Sequence, residues 1–244
     1  MVMLNKAFSM PLLIVPCFAM AESSIGVVGT YSQSIYKETN TQSNILPALS
    51  YKGERFFFNY PEIGYHLIPK SPHQSLSAGL RHTPSPFDPD ESNNIDVQSL
   101  DDRHDSGMAF ISYRFGPITT KLAQDVTGVH DGYYGQLSLG YPISIEAWRI
   151  IPSISYQYIS SGMSDYMFGV SQSDSAQTGG TISTYDSPAT SKVSYGATAI
   201  YSITKNINTM VSIKQTQYNE NITNSPIVDD NTVNSFLVGI FYKF

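Results

Sequence analysis

The sequence has 244 residues, of which 14% are charged, well below the roughly 25% that is typical of globular domains. Its 14 Lys and Arg against 20 Asp and Glu give a formal net charge of −6, so the basic surface on which nucleic-acid binding depends is absent. Cys17 is the single cysteine, which excludes an intrachain disulfide, and tyrosine is abundant at 17 residues.

Residues 1–21 have the pattern of a cleaved secretory signal. Lys6 precedes an apolar stretch at Pro11–Met20, and Ala19–Ala21 supplies a small-x-small motif. The apolar stretch is too short to cross a bilayer as a helix, and its two prolines disfavour a buried N-terminal helix. We therefore predict an exported barrel domain at 22–244, which keeps thirteen basic and twenty acidic side chains, a net charge of −7.

Period-2 alternation of apolar and polar residues recurs along the exported chain and predicts β-strands. In one segment, Tyr133, Leu137 and Leu139 share a face, while Gln136 and Ser138 lie on the other. No exported segment approaches about 18 consecutive apolar residues, which excludes membrane-spanning helices. Twelve strands are predicted, at 24–36, 44–52, 55–60, 63–68, 74–83, 106–115, 118–127, 132–143, 147–160, 192–203, 207–219 and 233–244.

The composition of the two strand faces favours a transmembrane barrel over a soluble β-sandwich. Tyr133 and Tyr141 share a face at a separation of about 26 Å along a strand, or roughly 20 Å of height at a tilt of about 40°. That height matches the two aromatic girdles around the apolar belt of an outer-membrane barrel. The polar face is mostly Ser, Thr, Gly and Gln, whereas a sandwich would present Lys and Glu to water. We predict an all-β, antiparallel, up-and-down transmembrane β-barrel.

Connection lengths indicate the orientation of this barrel. Short turns at 52–55, 116–117, 144–146 and 204–206 alternate with longer polar loops at 37–43, 83–105, 161–191 and 220–233. Outer-membrane barrels place short turns in the periplasm and long loops outside. Region 55–68 is the weakest part of the strand count, because each half is shorter than the roughly 9–11 residues of a spanning strand, so ten strands is the alternative. Pro47, Pro61 and Pro152 predict bulges or local breaks.

Several segments, in chain order, resemble motifs of one protein family. They are Leu100–Arg103 leading into Gly107–Tyr113, Tyr166–Ser171 followed by Ser175-Ala176, and Asn224–Asp229 preceding Val238–Phe244. These segments are similar to the corresponding motifs of the MipA/OmpV family of outer-membrane proteins.

The resemblance implies an outer-membrane barrel of Gram-negative bacteria, with Asp101, Asp102, Arg103, Asp229 and Phe244 as candidate structural residues. The best-known member of the family is regarded as a scaffold that joins a lytic transglycosylase to a bifunctional murein synthase, and other members are described as immunogenic or adhesive surface proteins. This chain departs from the family in a long segment rich in Pro, Asp and Asn at 83–100, so functions of that loop are not carried over.

The last eleven residues predict a closing strand. One face carries Phe236, Val238, Ile240, Tyr242 and Phe244. A closing strand pairs with the first strand and thereby removes both edges of the sheet. In barrels of this kind a terminal aromatic also resembles the signal read by the barrel-assembly machinery, and Phe244 equally suits the lower aromatic girdle.

Asp101, Asp102, His104 and Asp105 form the one cluster that could activate water. The structural alternative is an ion pair of Asp101 or Asp102 with Arg103 or a lumen base, which would brace the barrel mouth. Catalytic groups in a barrel come from several strands, so a cluster on one segment favours the structural interpretation.

We predict that the protein is not an enzyme and that it has neither a cofactor nor a metal site. The five histidines are scattered, and metal-ligand spacing is absent from the sequence. The acidic stretches at 86–105 and 228–231 are interpreted as solvated loops rather than sites for divalent cations.

The resemblance to the MipA/OmpV family implies a scaffold or interaction protein for periplasmic murein-remodelling enzymes, with a small pore or a surface adhesin as the alternative. Tyr134, Gln136, Arg149, Gln157 and Lys214 would project into the lumen and narrow it. The expected partners are outer-membrane lipid and lipopolysaccharide, a lytic transglycosylase, a murein synthase and the barrel-assembly machinery.

Overall fold

A single antiparallel sheet closes on itself to form a barrel. The computed structural model describes residues 23–68, 71, 73–85 and 87–244, so the predicted signal at 1–21 lies outside the described residues. The first and last strands pair in antiparallel register over nine residue pairs. This pairing removes the two edges that an open sheet would expose.

The barrel wall consists of extended segments that each pair with their neighbours in antiparallel register. They are β1 (Ser24–Ser32), β2 (Gln42–Lys52), β3 (Phe56–Asn59), β4 (Glu62–His66), β5 (Gln74–Thr83), β6 (Ser106–Phe115), β7 (Ile118–Asp125), β8 (Tyr133–Gly140), β9 (Ile143–Ile145), β10 (Trp148–Ile159), β11 (Thr190–Ser202), β12 (Ile207–Tyr218) and β13 (Thr232–Lys243). The outer loops contain a 3-10 turn at Pro89–Glu91 and the short helices α1 (Ile95–Gln98), α2 (Ser161–Phe168), α3 (Gln172–Gln177) and α4 (Glu220–Thr223). Within the described residues, no helix is long and apolar enough to span a membrane.

These segments form twelve wall strands, as predicted, because β8 and β9 are two parts of one strand. Both pair with β10 in the same register, and the interruption falls at Tyr141 and Pro142. Pro142 has no N–H to donate, while the Tyr141 N–H still donates to the Pro152 carbonyl oxygen at 3.2 Å. The ten-stranded alternative is therefore wrong.

Region 55–68 forms two short strands, β3 and β4, which leave part of β2 without a neighbour. β3 pairs only with the periplasmic end of β2, at Ser50–Lys52. Among the described residues, the stretch 43–49 has no strand partner on that side, and Ile45 there is 80% exposed.

Pro47 lies on this open edge of β2. The N–H of Lys52 donates to the hydroxyl of Ser23, which lies on the β1 side of the strand. The N–H of the next residue, Gly53, donates to the carbonyl oxygen of Phe56, which lies on the β3 side. Alternation along the strand puts the ring nitrogen of Pro47 on the β3 side. The proline thus removes a donor at an edge where strand pairing is absent, which is how natural sheets protect such edges.

The outward face of the barrel is apolar around its whole circumference. In β13, Phe236, Val238, Ile240 and Tyr242 are each about half exposed, whereas Leu237 is buried on the lumen side. Other outward side chains that are exposed in the same way include Ile25, Val27, Leu80, Ile111, Leu122, Leu137, Leu139, Ile154, Val211 and Ile213. Such a belt is stable only against hydrocarbon.

Aromatic pairs mark the two ends of this belt. At the periplasmic end Trp148 packs on Tyr201 with ring centroids 4.8 Å apart, and Tyr242 contacts Phe244 at 5.5 Å. At the outer end the pairs are Tyr31 with Phe236 at 6.0 Å and Tyr133 with Tyr158 at 6.2 Å. These positions suit side chains whose rings are buried in lipid and whose polar atoms reach water.

The outer loops pack into a cap with a hydrophobic core of its own. This core consists of Ile35, Tyr36, Phe87, Val97, Leu100, Phe168, Val170, Ile182, Ile222, Ile227, Val228 and Val233. The short helices are capped locally: Asn94 accepts from two backbone N–H groups of α1, and Ser171 forms a capping box with Asp174. The interpretation of 86–105 and 228–231 as simply solvated loops is therefore wrong, because both segments contribute to a buried cluster.

The lipid-facing surface predicts a depth-dependent cost for a charge. Leu139 lies near the middle of the wall strand formed by β8 and β9, and Ile145 lies at its periplasmic end on the same face. We expect Leu139→Lys to lower the free energy of unfolding by about 2–4 kcal/mol and Ile145→Lys by about 0–1 kcal/mol. Urea unfolding of the protein in lipid vesicles measures both values, and equal, small effects would contradict a lipid-facing belt.

Candidate functional site: the capped barrel lumen

Arg103 ties the two longest outer loops together. Its Nε donates to the carbonyl oxygen of Tyr166 at 2.9 Å, and its guanidinium also donates to the carbonyl oxygens of Asp101 at 3.0 Å and Gly169 at 3.1 Å. The carboxylate that faces it, at 3.5 Å, belongs to Asp174. The prediction that Arg103 forms an ion pair with Asp101 or Asp102 is therefore wrong, because its carboxylate partner is Asp174. Arg103 nevertheless links two loops at the barrel mouth.

Asp174 is the buried anion of this junction, with 2% of its surface exposed. Its carboxylate accepts from the backbone N–H of Asp101 at 3.1 Å and from the hydroxyl of Ser171 at 2.9 Å. Burial raises the pKa of Asp174, but these hydrogen bonds and the charge of Arg103 outweigh it, so the pKa lies below its ordinary value of 3.8. The ion pair is consequently intact at neutral pH.

The remaining family-motif residues lie at different ends of the barrel. Asp102 is exposed on the cap, and the carboxylate of Asp229 accepts from the backbone N–H of Glu38 at 3.2 Å, which joins the first and last outer loops. Phe244 lies at the periplasmic end, 70% exposed, and its N–H donates to the carbonyl oxygen of Ser23 at 3.1 Å.

The residues of the acidic and histidine cluster make separate contacts around the barrel mouth. The carboxylate of Asp105 lies 3.3 Å from the ring of His82 and accepts from the N–H of Ser85 at 2.8 Å, and its surface is about half exposed. The backbone of His104 exchanges hydrogen bonds with the hydroxyl of Tyr166. These contacts hold loops in place. In the described part of the chain no group of three or more His, Cys, Asp and Glu could hold a metal ion.

Beneath the cap the lumen contains a cavity of about 200 Å³. Its wall includes the cationic side chains Arg81, Lys192 and Lys214, and the described residues that line it include neither Asp nor Glu. Of the side chains predicted to project inward, Tyr134, Gln136, Gln157 and Lys214 line this cavity. Arg149 is partly buried near the periplasmic end.

Arg81 is part of a buried charge cluster on one wall. Its Nη1 and the Nζ of Lys121 both bind the same carboxylate oxygen of Glu62, and Lys121 also lies 4.6 Å from the ring centre of Phe110. One carboxylate thus serves two cations, and the cluster keeps a net positive charge. Sequence reasoning missed this cluster, although a charged residue on a lumen-facing strand position is the signal that could have indicated it.

Lys192 and Lys214 approach the cavity from the opposite wall. In the strand order β12 is separated from β5, which carries Arg81, by six steps in either direction. The ring of Tyr218 lies 5.5 Å from the Nζ of Lys192. All three cations are within electrostatic range of one another.

Nearer the periplasm the lumen is partly filled by apolar side chains. Val28, Met210, Leu237 and Phe241 form a buried cluster on the inward faces of β1, β12 and β13. We expected a lumen lined mostly by Ser, Thr, Gly and Gln, and this composition holds for β8 and β10 but not here. Both faces of β13 are rich in apolar residues, which is the sequence signal for a filled lumen.

Charge is strongly divided along the barrel axis. The outer loops carry fifteen Asp and Glu against two basic residues, Lys37 and Arg103. The periplasmic turns and adjoining strand ends have the opposite sign, with Glu54 and Glu146 as their described acids and Lys52, Arg55, Arg114, Arg149, Lys205 and Lys243 as their described bases. We call this basic ring the periplasmic rim.

Comparison with known proteins identifies the family. The model of the family "MltA-interacting protein MipA" matches residues 25–244. The chain is 28% identical over 228 residues to "Putative outer membrane protein YiaT" of Escherichia coli K12, covering 92% of each protein. It is 26% identical over 226 residues to the "MltA-interacting protein" of the same strain, covering 91% of this chain and 88% of that protein.

Structural comparison agrees on the fold. The NanC porin superposes with a TM-score of 0.50 at 9% identity, over 90% of this chain and 100% of that chain. At that identity the match concerns architecture alone. The fold and the family are those of non-enzymatic outer-membrane barrel proteins, and this chain belongs to the MltA-interacting protein MipA family.

Proposed function

We propose that this barrel is an interaction protein that docks a murein-remodelling enzyme, a lytic transglycosylase or a murein synthase, on its periplasmic rim. Support comes from the relative named MltA-interacting protein and from the charge division along the axis. The observation that carries the proposal is the basic rim, because it gives the periplasmic end a binding surface of defined sign.

Contacts within the barrel hold some of the basic side chains of the periplasmic rim in place. Arg114 donates to the carbonyl oxygen of Ser71 at 2.9 Å, which fixes it against the turn after β4. Arg55 lies 5.9 Å from the ring centre of Tyr65, and Lys205 is exposed in the turn between β11 and β12. A partner with an acidic patch would meet positive charges that are already positioned, so docking would cost less side-chain entropy.

The short turns limit the size of this contact. The periplasmic connections run from two to seven residues. Such a surface suits a transient complex at the low end of specific interfaces, below roughly 1,200 Å² of buried area. The affinity would then depend strongly on electrostatics and ionic strength.

The packed cap favours docking over an open pore. The cap core, the Arg103 junction and the apolar cluster around Phe241 all occupy the space that a conducting lumen would need. Contacts of the cap with lipopolysaccharide, and recognition of Phe244 by the barrel-assembly machinery, complete the proposed set of partners.

Charge reversal on the rim tests the docking. We expect Arg55→Glu with Lys205→Glu to weaken binding of a purified lytic transglycosylase or murein synthase about tenfold, equivalent to about 1.4 kcal/mol. Biolayer interferometry on the detergent-solubilised barrel measures the dissociation constant at low and high salt. Lys37→Glu in the cap is the matched control and should bind like the wild type.

Two results would contradict the docking proposal. One is that neither murein enzyme binds the wild-type barrel at low salt. The other is that the rim variant binds both enzymes normally and loses only its affinity for anionic phospholipid vesicles, since the rim would then serve lipid headgroups.

Removing Arg103 tests whether the cap closes the lumen. Three backbone carbonyl oxygens and the Asp174 carboxylate each lose one donor in Arg103→Ala, and each lost hydrogen bond to a charged group is worth about 1.5–3 kcal/mol. We expect proteinase K to cleave the cap at least about tenfold faster, as local opening becomes easier. We also expect transient conductance in planar bilayers where the wild type is silent.

Asp102→Ala, which changes an exposed neighbour, is the control for this experiment and should behave like the wild type. A steady ohmic conductance of the wild-type protein would support the pore instead. Equal cleavage rates in Arg103→Ala and Asp102→Ala would remove the role assigned to the Arg103 junction.

A further inference from the structure

The lumen cavity holds positive charge on opposing walls without a matching carboxylate in its lining. Arg81 comes from β5, and Lys192 comes from β11 across the barrel. Glu62 lies behind Arg81 and is shared with Lys121, so it neutralises one cation of that pair at most. Like charges that face one another across a low-dielectric space repel, and an anion between them would relieve the repulsion.

Buried donors in the same cavity wall lack hydrogen-bond acceptors. Arg81 is 3% exposed, and its Nε is buried without a partner among the described residues. The hydroxyl of Tyr134 is also buried without a hydrogen-bond partner among the described residues, and it lies close to Arg81. A buried donor left unsatisfied costs about 1–3 kcal/mol, so two of them in one wall indicate a ligand that accepts from both.

His130 supplies a third donor of this kind. Burial lowers the pKa of His130 below its ordinary value of 6.5, although Asp125 and Asp131 act in the opposite direction, so the ring is neutral at pH 7. Its Nδ1 accepts from the N–H of Gly132 at 3.0 Å, which places the ring proton on Nε2. That Nε2 is buried without a partner among the described residues, and His130 lines the cavity.

We propose that the cavity under the cap is a binding site for a small organic anion, with a carboxylate or phosphate group held by Arg81, Lys192 and the hydroxyl of Tyr134. The charged group would lie between the two walls, where charge-assisted hydrogen bonds are strongest. The organic body would lie against Met163, Met167 and Phe168, which form the cap side of the cavity. This site is separate from the periplasmic rim and does not depend on the docking proposal.

Matched small anions test the site. Isothermal titration calorimetry on the detergent-solubilised, full-length protein would use benzoate and phenyl phosphate, which share an aromatic body and differ in the charged group. Benzyl alcohol provides the same body without charge, and inorganic phosphate provides the charge without the body. We expect at least one of the two organic anions to bind, and to bind at least about tenfold more tightly than either reference compound.

Variants locate the binding. We expect Lys192→Gln to weaken the bound anion at least about tenfold, Tyr134→Phe to weaken it several-fold, and Lys192→Arg to retain it, because arginine keeps the charge. Lys205→Gln on the rim is the matched control and should not change the affinity. Heat-modifiable mobility on gels checks that each variant is folded. If Lys192→Gln does not fold, the affinity of Tyr134→Phe decides the test.

Three outcomes would overturn the site. The first is that neither organic anion binds the wild type. The second is that benzyl alcohol or inorganic phosphate binds as tightly as the organic anions. The third is that Tyr134→Phe and the folded lysine variant bind the anion like the wild type. The second outcome would reduce the cavity to an apolar void or a non-selective ion position.

Discussion

Hydrocarbon offers no partner for a backbone N–H or C=O, and this constraint determines most of the structure. A sheet can satisfy it only by closing, which is what the pairing of β1 with β13 accomplishes. Closure in turn fixes which side chains face lipid, since alternate residues on each strand must point outward. The open edge of β2 at residues 43–49 departs from this closure, and Pro47 removes one backbone donor there.

Inside the barrel a different constraint applies, because charged groups there need partners or water. The Glu62 cluster, the Arg103 junction with Asp174 and the apolar group around Phe241 fill much of the interior and close the outer mouth. What remains is a small cationic cavity under an acidic cap and above a basic rim. This distribution of charge, rather than a continuous channel, is what a ligand or a periplasmic partner would encounter.

The sequence predicted the wall far better than the interior. Strand positions follow from alternation alone, and even the doubtful region 55–68 forms the two short strands that the pattern indicates. The partner of Arg103 could not be predicted, since Asp174 is brought beside it by folding of the cap. The opposition of Arg81 to Lys214 likewise depends on the number of strands between β5 and β12, which local patterns do not encode.

Lipid, and not water or protein, surrounds the outward face of the barrel. Trp148 is the sole tryptophan and lies on that face at the periplasmic girdle beside Tyr201, so its fluorescence reports directly on this surface. In vesicles whose lipids carry bromine at known depths, we expect strong quenching of Trp148, greatest when the bromine lies near the headgroups. Quenching by aqueous iodide alone, with brominated lipids at every depth having no effect, would contradict it.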